Sequence, residues 1–110
     1  MQPPKKTYLF KAIWGKNSIG LAVEKRLREN ITSPVTTYFF WPSENGWKLL
    51  KNELYNKPWV TDEERVELLN GYNKIIKYWL KNVTRNDEII KLLKDSEEYN
   101  FELSGINSGI

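Results

Sequence analysis

The first part of the chain alternates between apolar and polar positions, a pattern that is typical of β-strands with one buried face. Residues 7–14 are rich in aromatic and β-branched side chains, and residues 19–24 repeat the alternation. The sequence Gly-Lys-Asn-Ser at residues 15–18 supplies turn residues between them. The pattern therefore predicts an N-terminal β-hairpin.

The same pattern predicts two further strands. The charged residues 25–30 are interpreted as a loop or as an extension of the second strand. Residues 35–41 then predict a third strand, which Pro42 ends. Residues 98–103 alternate strictly between polar and apolar side chains and predict a short terminal strand.

The middle of the chain changes to the three- and four-residue spacing of a helix with one buried face. Ser43 is predicted to be the N-cap of a first helix, with Glu44 in its first turn, and this helix should end near Tyr55. Its predicted buried face consists of Trp47, Leu50 and Leu54.

A capping box formed by Thr61 and Glu64 is the clearest helix start in the sequence. The second helix should run to about Asn82, and Thr84 is interpreted as the cap of a third, short helix. The predicted buried stripe of the second helix consists of Leu69, Tyr72, Ile76, Trp79 and Val83. Lysines are predicted on its solvent side, at Lys74, Lys77 and Lys81.

The order of these elements separates strands from helices, which predicts an α+β fold. We expect a small antiparallel sheet, made of the N-terminal hairpin plus a third strand, packed against two to three helices. Residues 7–103 form a single domain in this interpretation. A flexible basic arm at residues 1–6 precedes the domain, and a flexible tail at residues 104–110 follows it.

The absence of certain residue types excludes several classes of catalytic and metal-binding site. No Cys and no His occur among the 110 residues, which excludes disulfides, thiolate nucleophiles, catalytic triads and Cys- or His-based metal centres. No Gly-rich phosphate loop is present. Four carboxylates begin the second helix and are interpreted as helix capping, at Asp62, Glu63, Glu64 and Glu67. The sequence therefore predicts a protein that is not an enzyme and needs no cofactor and no metal.

Targeting signals are also missing from the sequence. No apolar run approaches the roughly 20 residues of a membrane span, and the N-terminus carries neither the apolar core of a signal peptide nor an Arg- and Ser-rich transit peptide. We therefore expect the protein to function in the compartment where it is made. The abundance of Lys, Asn and Ile and the scarcity of Ala indicate an AT-rich genome, such as that of an organelle or of an AT-rich bacterium.

The charge is unevenly distributed along the chain. The formal net charge is +3 and the pI is about 9.1. Residues 1–28 carry seven basic side chains and one acidic side chain, whereas residues 61–110 carry seven basic and ten acidic side chains. Such an asymmetry indicates a nucleic acid or another anionic partner for the N-terminal part.

Contacts with RNA phosphates require long cationic side chains on accessible elements. The candidates lie on the N-terminal arm, at both ends of the hairpin and on the second helix. They are Lys5, Lys6, Lys16, Lys25, Arg26, Arg28, Lys74, Lys77 and Lys81. An ordinary solvated face is the alternative explanation for the same residues.

Aromatic residues are abundant, with five Trp, six Tyr and four Phe. Trp47, Trp59 and Trp79 are interpreted as core residues because they lie at helix-packing positions or beside a Pro break. The four aromatics at residues 38–41 should divide between the two faces of the sheet. Tyr38 and Phe40 are the candidate partner-docking aromatics on the face away from the helices.

One block is long and unusual: Thr-Ser-Pro-Val-Thr-Thr-Tyr-Phe-Phe-Trp-Pro at residues 32–42. It is followed by Trp47, by Lys-Pro-Trp-Val at residues 57–60, by Arg-Val-Glu-Leu-Leu-Asn at residues 65–70 and by Trp79. With the hairpin before it, this succession resembles the plastid-specific ribosomal protein three family, which comprises small-subunit proteins of chloroplasts and cyanobacteria. The sequence departs from that family at Ser43, where a basic residue is frequent, and at Gly46, where Ala is frequent.

The resemblance implies a structural component of the plastid 30S ribosomal subunit, bound to the ribosome and without enzymatic activity. Its implied partners are small-subunit ribosomal RNA and neighbouring ribosomal proteins, with no membrane and no small-molecule substrate. The alternative is a ribosome-associated adaptor or translation regulator that binds protein without direct contact to RNA.

Overall fold

The computed structural model describes residues 7–82 and 94–107, and these contain five strands and two helices. The predicted basic arm at residues 1–6 and the predicted third helix after Thr84 lie outside the described residues. In chain order the elements are β1 (Tyr8–Gly15), β2 (Ile19–Arg28), β3 (Ile31–Pro34), β4 (Phe39–Trp41), α1 (Gly46–Tyr55), α2 (Asp62–Asn82) and β5 (Phe101–Asn107).

The strands form one mixed sheet in the order β3-β2-β1-β5, and β4 also pairs with β2. The predicted hairpin is confirmed, since β1 and β2 pair antiparallel with Trp14 opposite Ile19. The sheet with its helices confirms the α+β class. It is not wholly antiparallel, however, because β5 pairs parallel with β1, with Phe101 beside Phe10.

Two hydrogen bonds fix where α2 and β5 lie relative to β1. The Trp79 indole near the end of α2 donates to the carbonyl of Gly15, at the end of β1, so the helix runs in the same direction as β1. The Asn100 side-chain amide donates to the carbonyl of Tyr8 at 2.8 Å, so β5 starts beside the start of β1 and runs parallel to it.

The single strand predicted over residues 35–41 is wrong. Two short strands take its place, β3 before it and β4 at its end. Between them the buried Thr36 hydroxyl accepts a hydrogen bond from the Val23 backbone N–H at 3.0 Å, and the backbone N–H groups of Val35 and Thr36 both donate to the Val23 carbonyl. The side chain of Thr36 thus replaces a backbone partner, and the strand pairing is interrupted there.

The charged residues 25–30 form a strand extension, one of the two predicted alternatives, because β2 continues to Arg28. A tight turn at Glu29 and Asn30 then leads into β3, and Asn30 adopts a φ of 66°. Asn tolerates this left-handed conformation better than most residues. At the other end of the chain β5 reaches Asn107, beyond the predicted strand end at residue 103.

The first helix begins later than predicted. Asn45 is its N-cap, and its side-chain oxygen accepts a hydrogen bond from the Lys48 backbone N–H at 3.2 Å. Ser43 is therefore not the cap, and Glu44 precedes the helix, where its carboxylate accepts from the Phe40 backbone N–H. The predicted end at Tyr55 is confirmed.

The capping box of α2 is confirmed in both directions. The Thr61 backbone N–H donates to the Glu64 carboxylate at 2.9 Å, and the Glu64 backbone N–H donates to the Thr61 hydroxyl at 3.1 Å. Further along the helix the predicted stripe is shifted in part, because Leu68 and Ile75 are buried where Leu69 is only half-buried. The three predicted lysines are exposed.

The capping box makes a prediction about pH. The backbone N–H of Thr61, more than any other group, holds the pKa of the Glu64 carboxyl below its ordinary value of 4.5. A lowered pKa in the folded state means that this stabilisation is complete above the unfolded-state pKa and is lost as the pH falls through the folded-state pKa. We expect the difference in free energy of unfolding between wild type and Glu64→Gln to shrink as the pH falls from about 6 to about 3. Urea unfolding at each pH measures it.

The Gln side chain preserves the shape of the capping box, so the variant removes only the charge. Glu63→Gln is the matched control, because it removes a charge from the same helical turn without a bond to Thr61. A difference that stays constant over this pH range in Glu64→Gln would contradict the prediction.

The core lies between the helices and one face of the sheet. The side chains of β1 and β2 that face the helices include Phe10, Trp14, Leu21 and Val23, and these are buried with Leu50, Leu54 and Tyr72 from the helices. We call the opposite side of the sheet the outer face. Because side chains alternate along a strand, Lys11, Ala22, Glu24 and Arg26 belong to the outer face.

Candidate nucleic-acid interface

A cleft of about 690 Å³ lies on the outer face, beside the turn between β2 and β3. We call it the basic cleft, because Lys11, Arg26 and Arg28 line it against two carboxylates, Glu29 and Glu102. Its full lining is Thr7, Lys11, Arg26, Leu27, Arg28, Glu29, Asn30, Thr32 and Glu102. Two of the predicted RNA-binding residues, Arg26 and Arg28, are thus brought together, and Lys11 joins them.

Arg26 has an unusual position in the basic cleft. It is half-buried, and its Nε is buried without a hydrogen-bond partner among the described residues. A buried N–H group without a partner is costly, but this Nε is shielded from solvent, so a ligand in the cleft does not reach it directly. Two neutral groups, Trp47 Nε1 and Tyr72 Oη, are in the same condition, but they pack against the core instead of lining this cleft.

The other two cations of the cleft are held differently. Lys11 pairs with Glu102 across β1 and β5, at 3.1 Å between Nζ and Oε2. Arg28 is exposed at the end of β2. A sharp irregularity in strand pairing lies between Arg26 and Arg28, so that Arg26 pairs with Thr32 and Arg28 pairs with Ile31. Both arginines line the cleft despite this irregularity, as expected for residues two positions apart on a strand.

Lys25 does not join this group. It is the neighbour of Arg26 on a strand, so its side chain leaves from the helix side of the sheet. Its Nζ lies 5.5 Å from the centre of the Trp59 ring, a cation–π distance. The predicted set of Lys25, Arg26 and Arg28 is therefore divided between two faces. Lys5 and Lys6 lie outside the described residues.

A second basic group forms at the opposite end of the hairpin. The bond from Trp79 to the Gly15 carbonyl brings the end of α2 beside the hairpin tip, where Lys16 is exposed. Lys81 lies in the last turn of α2, so Lys16 and Lys81 share one end of the molecule. The basic cleft is roughly 30 Å away, since β2 advances about 3.3 Å per residue.

The remaining helix lysines differ from each other. Lys77 is exposed on the solvent side of α2. Lys74 instead lines a separate cleft of about 620 Å³ together with three carboxylates, Glu64, Glu67 and Glu98. Carboxylates that line the same cleft compete with a phosphate for the Lys74 ammonium group. The predicted lysine stripe is therefore not uniform in its electrostatic surroundings.

The predicted docking aromatics contact the protein's own sheet. Phe40 pairs with Gly20, and its ring packs so closely on this glycine that a Cβ there would lie 2.6 Å from a ring carbon. The Tyr38 hydroxyl is 2.7 Å from the Ser104 hydroxyl, on the far strand β5. Both rings are half-buried, and their docking role stays a prediction.

The most exposed aromatic side chains are Tyr55 and Trp59, of which the sequence pattern assigns Trp59 to the core. Trp79 is buried as predicted, but Trp59 is 52% exposed, so its assignment to the core is wrong. It lies in the turn between the helices, where the Val60 N–H bonds to the Lys57 carbonyl, and Val60 occupies the core position instead. Tyr55 at the end of α1 is 60% exposed. The adjacent apolar pair Trp59-Val60 could have indicated this, because two neighbouring residues in a turn rarely both point into the core and only one of them is expected to be buried.

Two negative findings apply to residues 7–82 and 94–107. No group of carboxylates there is arranged to hold a metal ion. No helix in this part is long and apolar enough to span a membrane.

The chain is similar in sequence to a family of known proteins. Residues 35–82, from the corner after β3 to the end of α2, match the sequence model of the family described as plastid and cyanobacterial ribosomal protein (PSRP-3/Ycf65). A protein named small ribosomal subunit protein cS23 from Gracilaria tenuistipitata var. liui is 38% identical over 94 residues, which cover 86% of this chain and 93% of the relative.

Two further relatives extend the comparison. The probable small ribosomal subunit protein cS23 of Synechococcus sp. (strain JA-2-3B'a(2-13)) is 42% identical over 74% of this chain and 81% of its own length. The small ribosomal subunit protein cS23 of Cyanidium caldarium is 36% identical over 70% of this chain and 75% of its own length. The chain belongs to the plastid and cyanobacterial ribosomal protein family.

Proposed function

We propose that this chain is a structural part of the small ribosomal subunit that binds ribosomal RNA through the basic cleft and contacts neighbouring ribosomal proteins. Membership of the family makes the chain a plastid-type ribosomal protein, a structural component and not an enzyme. The names of its relatives, small ribosomal subunit protein, support the choice of subunit. Direct contact with RNA is proposed from the arrangement of cationic side chains in the structure.

The observation that carries the RNA contact is the grouping of three cationic side chains, with Arg26 among them, in the basic cleft. A guanidinium group matches phosphate geometry and can donate two parallel hydrogen bonds to it. Arg28 and Lys11 bring two further positive charges to the same cleft. Such contacts fix the position of a protein on the RNA backbone without reading a base sequence.

The other candidate residues contribute unequally in this proposal. Lys16, Lys77 and Lys81 give a second contact at the opposite end of the molecule, and Lys5 and Lys6 precede Thr7, which lines the basic cleft. Lys74 is the weakest candidate because it faces three carboxylates. Lys25 is committed to the ring of Trp59.

Removing both arginines of the cleft should weaken association with small subunits and reduce its dependence on salt. We expect Arg26→Ala/Arg28→Ala to bind small subunits depleted of this protein with a salt slope lower by roughly 1.5, because each lost phosphate contact lowers the slope by about 0.7 to 0.9. Co-sedimentation across a series of salt concentrations measures the slope.

The control is Lys48→Ala/Lys94→Ala, which removes the same amount of charge from exposed positions outside the cleft. Its slope should stay close to that of the wild type. If the arginine variant also keeps the wild-type slope, the cleft does not contact phosphates. The alternative function, an adaptor that binds only protein, predicts that outcome.

A further inference from the structure

Two exposed aromatic rings lie at the junction of α1 and α2, on the helix side of the sheet and away from the basic cleft. Tyr55 is 60% exposed and Trp59 is 52% exposed. Large aromatic side chains that remain exposed near each other are typical of contact surfaces for partners. We call Tyr55 and Trp59, with the cations that contact them, the aromatic corner.

Cationic side chains fix both rings in place. Lys25 Nζ lies 5.5 Å from the centre of the Trp59 ring, and Arg65 Cζ lies 4.7 Å from the centre of the Tyr55 ring. Arg65 is itself held by a 2.9 Å hydrogen bond from Nη1 to the Val60 carbonyl and by an ion pair with Asp62. Rings that are already ordered lose little freedom when a partner binds.

The composition of the aromatic corner is that of a protein contact site. Trp, Tyr and Arg are the residues on which binding energy at protein interfaces is most often concentrated. Each ring has a cation on it and still leaves more than half of its surface to solvent. The geometry shows that both rings accept a positive charge at stacking distance.

The charge around the corner selects the kind of partner. The first two turns of α2, directly after Trp59, carry four carboxylates against the corner's two cations, Arg65 on the same helix and Lys25 from β2, and the Asp62 side chain is 90% exposed. The carboxylates are Asp62, Glu63, Glu64 and Glu67. This potential repels RNA phosphates and attracts cationic side chains. It is opposite in sign to that of the basic cleft.

We propose that the aromatic corner docks a Lys- or Arg-rich segment of a neighbouring ribosomal protein. Cationic side chains of that segment stack on the exposed parts of Trp59 and Tyr55 and pair with the carboxylates at the start of α2. The inference rests on the proposed function, because the partner belongs to the same subunit. It gives the molecule one surface for RNA and another for protein.

Trp59→Ala tests the inference in the same subunit-binding assay. We expect this variant to bind depleted small subunits about 30-fold more weakly, the effect of losing a central interface aromatic, with an unchanged salt slope. Glu63→Lys should also weaken binding, and Trp59→Phe should retain most of it. Leu80→Ala, at a residue on α2 that is 58% exposed, should bind like the wild type.

Photo-crosslinking identifies the class of partner. A benzophenone amino acid in place of Trp59 in assembled small subunits should give a crosslink to a protein, within a segment rich in Lys and Arg. A crosslink to ribosomal RNA, or no crosslink in assembled subunits, overturns the inference. Wild-type binding by Trp59→Ala, or a salt slope that falls as in the arginine variant, overturns it as well.

These outcomes separate the two proposals. If Trp59→Ala weakens binding while Arg26→Ala/Arg28→Ala changes neither affinity nor slope, the RNA contact of the cleft fails and the protein contact stands. The reverse result removes the protein contact and leaves the cleft. Circular dichroism of each variant tests whether the fold is kept, including that of Arg26→Ala/Arg28→Ala, in which Arg26 is half-buried.

Discussion

Trp79→Ala should lower the free energy of unfolding by about 3 to 5 kcal/mol, the range for removing a large buried aromatic side chain. Trp79 is 3% exposed in the middle of the core, and its indole Nε1 donates a hydrogen bond to the Gly15 carbonyl at 2.9 Å. The variant leaves a cavity and an unpaired carbonyl together. Urea unfolding followed by circular dichroism measures the loss.

Two variants separate the causes of this loss. Trp79→Phe keeps most of the buried ring but removes the indole donor, so its loss should be smaller, about 1 to 3 kcal/mol. Leu80→Ala changes the next, exposed residue and should stay within about 0.5 kcal/mol of the wild type. A loss below about 1 kcal/mol for Trp79→Ala would contradict the role of this side chain in joining α2 to the hairpin tip.

Thr36→Val should lower the free energy of unfolding by about 2 to 3 kcal/mol, although the two side chains have almost the same shape. The Thr36 hydroxyl accepts from the Val23 backbone N–H at 3.0 Å and donates to the Thr37 carbonyl at 2.8 Å. Thr36 is 8% exposed, so its removal leaves a buried N–H group without this partner, which costs about 1 to 3 kcal/mol by itself. Thermal and urea unfolding provide the measurement.

Thr36→Ser keeps the hydroxyl and should recover much of this loss. Thr37→Val is the matched control, since Thr37 is the exposed neighbour and should change stability by less than about 0.5 kcal/mol. Equal stability of Thr36→Val and the wild type would show that the hydroxyl does not hold the corner between β3 and β4 on β2.

Features that depend on neighbouring residues could be predicted from the sequence. The capping box of α2 needs only Thr61 and Glu64 at the correct spacing. The length of the helix follows from the periodicity of apolar residues up to Asn82. The hairpin needs only alternation and a turn. Thr36 shows where such reasoning stops, because alternation over residues 35–41 predicts a strand and cannot reveal that a side chain replaces the backbone partner.

Features that depend on distant residues could not be predicted in this way. The parallel pairing of β5 depends on contacts between residues far apart in the chain, such as the hydrogen bond from the Asn100 side chain to the Tyr8 carbonyl. The grouping of cations is of the same kind. Lys25, Arg26 and Arg28 were predicted together at one end of the hairpin, whereas the structure groups Lys11 with the two arginines and places Lys25 on the other face of the sheet.

The resemblance in the sequence was the stronger guide to identity, and it is confirmed by the family match and the relatives. The block at residues 32–42 made the family recognisable because its order of Thr, Pro and aromatic residues is unusual. This block forms the corner between β3 and β4. Contact with RNA and the residues that make it stay predictions. The basic cleft is the surface proposed to bind RNA, and the aromatic corner, of opposite charge, is the surface proposed to bind protein.

Electron cryomicroscopy of the small subunit that contains this chain tests the central claim most directly. The basic cleft should face ribosomal RNA, with a phosphate oxygen within about 3 Å of the Arg26 guanidinium nitrogens, where hydrogen bonds form. A density map in which the cleft faces solvent or another protein, with no phosphate near Arg26, would contradict the account.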